Sequence, residues 1–415
     1  AGSHARFQRT KAKNIKMIKL LRFILIPVFC AAVICFHIPA AVFAESEESR
    51  YYIDAEIREF ADGIVEWKCE TAGAESVEEL INDKLISYAG DQTADWYILG
   101  MARLYDNYDF SRYADALSMK IAEIKASADP ASVTVTDLHR MALTLTAAGG
   151  DPADLIEYST YNRGSVAPLD KQGVTGPLWA LITLDSMQQD VPEASYYSRE
   201  EIIRMILDDE KDGGGFALTG PAADPDITAM AVQALAPYYN RTDPGSSVRD
   251  AVDRALTKLS QLQEETGDFS SWGNRNAQTG AQVMLALSCL DIDPQTDQRF
   301  IKNGNTLMDG LLLYRMQDKG FANTFPAERS NSKTSEQVLY TFAALLRQMS
   351  GKRHLYDMRP ESGDVSSSLS SNEPASVSAD EPSSSPVYLY LPVAAVIIVL
   401  YIVVIVLLRK RRTIS

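Results

Sequence analysis

The chain has 415 residues, of which 46% are hydrophobic and 23% are charged, so it contains enough apolar residues to bury a sizeable core. Its 55 acidic residues outnumber its 40 Lys and Arg residues, and the formal net charge is −15 at pH 7. Nucleic acids and anionic lipid headgroups bind to clustered cations, so this balance excludes both as the main binding partner.

The first predicted element is a secretory signal peptide over residues 1–44. This segment has seven basic residues and no acidic residue, followed by an apolar run at 23–38 and the small-residue site that ends at Ala44. A start at Met17 fits an export signal better, because the preceding residues only lengthen the basic part. We therefore expect the body of the protein to be exported.

The body, residues 45–356, has a helical hydrophobic period nearly throughout. No segment shows a convincing strand alternation, and twelve amphipathic stretches predict six helix pairs. These stretches are 51–68, 76–88, 95–106, 112–127, 135–148, 175–187, 199–210, 226–239, 247–264, 278–290, 297–316 and 334–349.

Three segments in the second half are copies of one another, with a period of roughly 50 residues. They begin at Gly213 (GGGFALTGPAADPDITAMAVQALAPYY), Gly267 (GDFSSWGNRNAQTGAQVMLALSCLDIDP) and Lys319 (KGFANTFPAERSNSKTSEQVLYTFAALLRQ). Each has a Gly-Phe or Gly-x-Phe loop, then a small or hydroxyl residue, then an Ala/Leu/Val-rich helix. The small or hydroxyl residues are Thr228, Gly280 and Ser335. The pattern predicts a helical repeat protein.

Weaker copies of the unit occur in the first half, and successive helix starts lie about 40 to 55 residues apart. Asp, Thr and Ser at these starts are predicted to be N-cap residues, whose side-chain oxygens accept hydrogen bonds from the free N–H groups of the first turn. The predicted starts are near Asp95, Asp137, Gly176, Asp226, Thr279 and Ser335.

The C-terminal sequence predicts a membrane anchor. Residues 357–386 are rich in Ser, Pro and acid and predict a disordered stalk. Residues 387–408 have no charge and are long enough for a transmembrane helix, and the basic tail 409–415 is expected to stay cytoplasmic. A sortase signal is the alternative, but the sequence from Leu391 departs from Leu-Pro-x-Thr-Gly. The location is therefore predicted to be the cell membrane, single-pass, with an extracellular body.

Several strings in order along the body resemble a known family: DWYILGMARLY, LHRMALTLTAAGGDP, LDKQGVTGPLWALITLDS, DPDITAMAVQALAPYY, NAQTGAQVMLALSCLDIDP, FIKNGNTLMDGLL and SEQVLYTFAALL. They are similar to the prenyltransferase and squalene-oxidase repeat proteins exported by Gram-positive bacteria, within the terpenoid-cyclase and protein-prenyltransferase superfamily. The resemblance spans about residue 50 to Met358. It implies an all-α fold, an α/α toroid of six inner and six outer helices, with the inner helices starting at one mouth.

Members of that superfamily include terpenoid cyclases, and a cyclase needs a proton donor in a DxDD motif. Here the matching place reads Asp224-Pro225-Asp226-Ile227, without the last Asp. A carbohydrate-active enzyme needs paired carboxylates at the mouth, for which Asp224, Asp226 and Glu336 are the candidates. A degenerate cyclase-like or carbohydrate-active enzyme is therefore the alternative function.

Zinc catalysis is not predicted, because the mature chain offers only His139 and His354 beside Cys69 and Cys289. Whether the two cysteines form a disulfide stays open. The cobalamin-carrier branch of the superfamily implies a corrinoid as a candidate ligand, with His139 as a candidate metal or cobalt ligand. Those carriers hold the ligand against a second, β-rich domain, so the resemblance also implies a separate β-rich partner.

The predicted function is a small-molecule binding or recognition module for a corrinoid or another apolar ligand, and more a binder than an enzyme. A structural or protein-interaction surface protein is the second alternative. The candidate ligand-binding residues at the mouth are Trp96, Tyr97, His139, Trp179, Asp224, Asp226, Met230, Trp272, Gln282, Glu336 and Tyr340.

Overall fold

A computed structural model of the protein describes residues 49–127, 133–161, 168–191, 197–241 and 245–361. The predicted leader, most of the stalk, the apolar span 387–408 and the basic tail lie outside these ranges. Among the described residues, no helix has both the length and the apolar composition needed to cross a membrane. The folded unit continues to Glu361, a few residues beyond the predicted start of the stalk.

Six helices form an inner ring. Each contacts the next one in the series, and the last contacts the first, so the ring is closed. They are α2 (Gln92–Leu104), α4 (Val135–Ala147), α6 (Thr175–Ser186), α8 (Pro225–Leu235), α10 (Ala277–Cys289) and α12 (Ser332–Met349).

Six outer helices alternate with these along the chain, and each packs against an inner helix. They are α1 (Asp54–Ala72), α3 (Ser111–Ala126), α5 (Ala153–Ile156), α7 (Arg199–Leu207), α9 (Gly245–Leu262) and α11 (Leu307–Leu312). The described residues thus have the architecture of an α/α toroid, with α12 and α1 packed together where the two ends of the ring meet.

Burial explains why the inner helix α6 lacks a polar face. An inner helix contacts two ring neighbours and an outer helix, and ten of the twelve residues of α6 are buried. Outer helices have one face toward solvent and are therefore clearly amphipathic, as in α9. The Ala/Leu-rich strings of the sequence correspond to the inner helices.

The predicted helix 76–88 is wrong as an outer helix of the toroid. The segment forms a short turn of α-helix, Val77–Glu79, a π-helix, Leu80–Leu85, and a 3-10 turn, Ile86–Tyr88. The sixth outer helix is instead α5, which continues as a π-helix over Glu157–Tyr161. The periodicity missed it because one turn of helix is too short to show a period. The other 3-10 turns are Leu169–Gln172, Ala236–Tyr238 and Gln298–Phe300.

The middle repeat contains a two-stranded antiparallel hairpin that the sequence did not predict. Strand β1 (Phe269–Ser271) pairs with β2 (Asn274–Asn276), and Phe269 lies opposite Asn276. Strands of three residues are too short to show an alternating pattern.

The hydroxyl residue of the repeat fastens the Gly-Phe loop to the inner helix. In the first copy, the Thr228 hydroxyl accepts a hydrogen bond from Phe216 N at 2.9 Å and donates one to Phe216 O at 3.1 Å. In the third copy, the Ser335 hydroxyl accepts from Phe321 N at 2.9 Å. The middle copy has Gly280 at this place and uses the hairpin instead. The sequence pattern therefore marks a loop attachment that two copies make in the same way.

The N-caps lie about one turn earlier than predicted. The side chains that accept the first-turn N–H groups belong to Asp91, Thr134, Asp224, Asn276 and Asn331. The prediction placed the starts too late because the polar first turn of each helix reads as a loop when only apolar periodicity is followed. The predicted cap residues lie inside the first turns. Cys69 and Cys289 are both free thiols.

Candidate functional site

The interior of the ring is filled at mid-depth by aromatic side chains. Trp96 on α2 and Trp179 on α6 have ring centroids 5.3 Å apart, although α4 lies between these helices in the ring. Tyr340 on α12 lies 5.4 Å from Trp96. Because these side chains come from helices that are not all neighbours, they meet inside the ring. We call Trp96, Trp179, Tyr340 and Tyr356 the floor cluster.

Tyr356 reaches the floor cluster from the end of the ring where the inner helices finish. Its ring is 6.0 Å from that of Trp179, in an edge-to-face orientation. The segment is held there by Arg103, near the end of α2, which donates to the carbonyl oxygens of Leu355 and Asp357. This end of the ring is therefore closed by the chain itself. We call the other end, where the inner helices begin, the mouth.

A line of hydrogen bonds fixes Tyr340. Gln233 Nε2 donates to Gln282 Oε1 at 2.8 Å, and Gln282 Nε2 donates to the Tyr340 hydroxyl at 2.6 Å. All three side chains are buried, so these bonds satisfy donors that would otherwise be costly to bury. They connect α8, α10 and α12 inside the ring.

Glu336, one turn before Tyr340 on α12, is the most unusual residue of the mouth. It is 1% exposed, and neither carboxyl oxygen has a hydrogen-bond partner among the described residues. Burial raises its pKa to about 8, while the cations of Lys68, Lys333 and Arg140 act in the opposite direction. At neutral pH the folded protein therefore holds this carboxyl group mostly in its protonated form.

Asp226 is the second carboxyl group of the mouth, in the first turn of α8. It is partly exposed and makes no hydrogen bond through its side chain with the described residues. Burial, and then the charge of Asp224, raise its pKa to about 6. Glu336 and Asp226 both contribute to raising the pKa of Tyr340, so both lie within electrostatic range of its hydroxyl group.

Asp224 has a different role from its neighbour. One carboxylate oxygen accepts from the backbone N–H groups of Asp226 and Ile227, and the other accepts from the Ser271 hydroxyl at 2.6 Å. It therefore caps α8 and attaches the hairpin of the next repeat to that helix. Both oxygens already have partners, so Asp224 acts as a structural residue in this geometry.

The remaining predicted residues lie in three different environments. Tyr97 is fully buried beside the mouth, where its hydroxyl donates to Ser332 O at 3.0 Å and the Lys68 ammonium is 4.4 Å from its ring centroid. Met230 is buried on α8. Trp272 is 72% exposed at the tip of the hairpin.

His139 is fully buried on α4, and neither ring nitrogen has a hydrogen-bond partner among the described residues. Burial lowers its pKa to about 3, so the imidazole stays neutral. In the part of the chain that the structure describes, no group of three His, Cys, Asp or Glu side chains is placed to hold a metal ion.

Sequence reasoning missed four residues that shape the site: Lys68, Lys333, Gln233 and Tyr356. Tyr356 lies in the string LYDM at the end of the family resemblance, which was the one available signal. Lys68 is on an outer helix and Lys333 in the first turn of α12, and no motif distinguishes either.

Comparisons with known proteins identify no family for this chain. No protein-family model matches the sequence, and no curated protein matches it either. A search of solved structures returns the unsaturated glucuronyl hydrolase of Bacillus sp. GL1, responsible for the degradation of glycosaminoglycan. The alignment covers 74% of this chain and 100% of that chain, with 12% identity and a TM-score of 0.45. A likeness this weak carries no argument about what this chain does.

Proposed function

We propose that the protein binds a small organic molecule in the mouth of the ring. The observation that carries this proposal is Glu336, a buried carboxyl group with no hydrogen-bond partner among the described residues. Burying a polar group without a partner costs free energy, so such groups are rare in folded proteins. A ligand with a hydroxyl or amine group would provide the missing hydrogen bond.

The floor cluster supports the same proposal. Trp96 is partly exposed and contacts Trp179 and Tyr340, which offers the ligand a flat apolar surface, and Tyr340 lies one turn from Glu336 on α12. Ligand sites generally combine an apolar lining with a few polar groups. A corrinoid, a terpenoid and an oligosaccharide each combine apolar surface with polar groups, and they are the ligand classes to try first.

Native mass spectrometry of the full chain in detergent, with cobalamin, cobinamide, terpenoids and neutral oligosaccharides as probes, tests the proposal. We expect one probe to be retained by the native protein. Glu336→Met keeps the side-chain length without hydrogen-bonding groups, and should weaken that binding by about tenfold, as expected for one lost hydrogen bond.

The matched control for this experiment is Glu70→Gln, at an exposed position on α1. It should bind the probe as the native protein does. Retention of no probe, or equal retention by Glu336→Met and the native protein, would contradict the proposal.

Acid–base catalysis is the second candidate function, favoured by the two carboxyl groups of the mouth. With pKa values of about 6 and about 8, Asp226 is mostly ionised and Glu336 mostly protonated at pH 7. Two carboxyl groups with separated pKa values are the arrangement that a general base and a general acid require.

The variant Asp226→Asn tests this candidate. Its turnover and that of the native protein are measured in hydrolysis assays on neutral oligosaccharides and in cyclisation assays on terpenoids. An enzyme should lose at least about a hundredfold in turnover on Asp226→Asn while keeping its fold. Asp224→Ala should lower stability by about 1 kcal/mol through the lost cap. Unchanged turnover in Asp226→Asn, or no turnover in the native protein, would exclude this candidate.

We also propose that residues 387–408 anchor the protein in the membrane with the ring outside the cell. The support is the sequence alone: an uncharged segment of sufficient length followed at once by four basic residues. Labelling of intact cells with a membrane-impermeant amine reagent should modify lysines of the ring. Labelling only after lysis would contradict the proposed orientation. Co-purification from labelled cells would identify a separate β-rich partner.

A further inference from the structure

An exposed apolar side chain occurs in the loop of each of the three repeats, between the loop phenylalanine and the inner helix. Leu218, Trp272 and Phe325 each follow the Gly-Phe segment of their copy by a few residues, and they are 43%, 72% and 72% exposed. Apolar side chains of this size are usually buried, and their exposure in the corresponding loop of each repeat points to a common use.

These side chains lie on the rim of the mouth, because each loop reaches the start of the preceding inner helix. Leu218 packs against Gly173, just before α6. Ser271, next to Trp272, donates to the cap of α8, and Asn323, close to Phe325, accepts from Ala277 N at the start of α10. We call Leu218, Trp272 and Phe325 the rim residues.

Trp272 shows that the exposure is not incidental. It occupies the first position of the two-residue hairpin turn with φ of 53°, and Gly273 follows with φ of 77°. Such a turn favours Asn or Gly at the first position, because a bulky side chain is strained at positive φ. The indole is 72% exposed and pairs with no other aromatic ring among the described residues, so little packing offsets this strain. Backbone strain that is not offset by packing is typical of functional positions.

We propose that Trp272 and Phe325 form a rim subsite that stacks on the sugar rings of a neutral oligosaccharide whose hydroxyl groups reach the carboxyl groups in the mouth. This inference rests on the proposed function, since it names the ligand class of the same mouth. A sugar ring has an apolar C–H face that packs on an aromatic ring, and hydroxyl groups at its edge that donate to carboxylates.

The surroundings of the rim favour a glycan over a protein partner. Trp272 is followed in the hairpin by the polar side chains of Asn274 and Arg275, which are exposed as well. Protein interfaces have a contiguous apolar core, whereas here single rings alternate with hydrogen-bonding groups. The acidic balance of the chain disfavours a polyanionic glycan. A neutral oligosaccharide fits the separate rings, the polar groups between them and the charge.

Calorimetric titration of the full chain in detergent with cellohexaose and chitohexaose, followed also by tryptophan fluorescence, tests the inference. We expect one hexasaccharide to bind, and Trp272→Ala to weaken it by at least about tenfold, equivalent to about 1.4 kcal/mol. Trp272→Phe keeps an aromatic face and should stay within about threefold of the native affinity. Tyr88→Ala removes an aromatic side chain that is 59% exposed outside the rim, and should leave affinity unchanged.

The outcomes separate the rim from the mouth. If Glu336→Met weakens hexasaccharide binding while Trp272→Ala behaves like Tyr88→Ala, the rim inference is overturned and the proposed function stands. If Trp272→Ala alone weakens binding, the rim subsite stands and the role of Glu336 fails. If neither hexasaccharide binds, or if the rim residues bind neutral lipid vesicles or a peptide instead, the inference is overturned.

Discussion

Glu336 and Tyr340 lie one turn apart on the same inner helix, yet only the tyrosine has a hydrogen-bond partner. The Tyr340 hydroxyl accepts from Gln282, whereas both carboxyl oxygens of Glu336 are unpaired among the described residues. The two side chains are about equally buried. The structure therefore gives the Tyr340 hydroxyl a partner and leaves the buried carboxyl group of Glu336, one turn nearer the start of the helix, without one, which is the arrangement expected of a site that receives a ligand.

We expect Glu336 to make the protein less stable as pH rises. Its folded pKa of about 8 lies above the ordinary 4.5, so the folded state keeps a proton that the unfolded state releases. Between these values, stability should fall by about 1.4 kcal/mol per pH unit as pH increases. Glu336→Gln cannot ionise and should lack this fall, which urea unfolding at pH 5 and pH 8 would measure. Parallel losses in Glu336→Gln and the native protein would refute this expectation, and Glu70→Gln is the control.

His139 should have the opposite effect, on the acid side. Burial lowers its folded pKa from 6.5 to about 3, so the unfolded state takes up a proton that the folded state does not. Stability due to the neutral imidazole is fully present above pH 6.5 and is lost as pH falls toward 3. His139→Leu should therefore unfold at lower pH than the native protein in an acid titration followed by circular dichroism. An unchanged acid midpoint would show that His139 is protonated as easily in the folded state.

The buried ion pair of Asp95 and Arg140 should be the most sensitive polar contact between α2 and α4. Arg140 Nε donates to Asp95 at 3.0 Å, and the Tyr113 hydroxyl and Gly90 N also donate to this carboxylate. Asp95→Ala would leave three donors, Arg140 Nε, the Tyr113 hydroxyl and Gly90 N, without their acceptor, although Arg140 keeps its contact with Asp137. It should destabilise the protein by about 3–5 kcal/mol in urea unfolding.

The matched control for this pair is Asp83→Ala, which removes an exposed carboxylate 3.9 Å from Arg112. Exposed pairs contribute little, so the loss should be under about 1 kcal/mol. Equal losses of stability in Asp83→Ala and Asp95→Ala would mean that burial does not determine how much these ion pairs contribute to stability.

Two helical glycines should respond in opposite ways to alanine. A Cβ at Gly280 on α10 would meet nothing within 4 Å, so Gly280→Ala should stabilise the helix by about 0.5–1 kcal/mol. A Cβ at Gly310 on α11 would overlap the backbone of Gly267, so Gly310→Ala should lower the thermal midpoint. A loss of stability in Gly280→Ala would indicate that the middle repeat needs glycine for another reason.

Much of the fold was predictable because its signals are local. A helix shows its period within about three turns, and the Gly-Phe loops repeat in the sequence, so a repeated array of helix pairs could be predicted. The division into inner and outer helices was implied by the family resemblance. Short elements were not predicted. The single turn of α5 and the three-residue strands β1 and β2 are below the length at which a period can be recognised.

The candidate site was predicted as a set of residues, but not as a geometry. Asp224 and Asp226 are nearly adjacent in sequence and were treated as a pair, yet the Asp224 carboxylate caps a helix and the Asp226 side chain makes no hydrogen bond with the described residues. Trp272 was expected at the mouth with the other aromatic residues, and it lies on the rim, away from the floor cluster. Whether a carboxylate oxygen accepts a hydrogen bond depends on neighbouring side chains such as Ser271, which belongs to the next repeat.

The sequence by itself determined the helical repeat, the recurring hydroxyl positions Thr228 and Ser335, and the list of side chains from which a site could be built, because each is read from residues close together in the chain. Only the tertiary structure decided that α12 closes the ring on α2, that Trp96, Trp179 and Tyr340 meet inside it, and that Glu336 is buried without a partner. The physical reason is that desolvation and hydrogen-bond satisfaction are set by all the atoms around a group, and here those atoms come from residues that are distant in sequence.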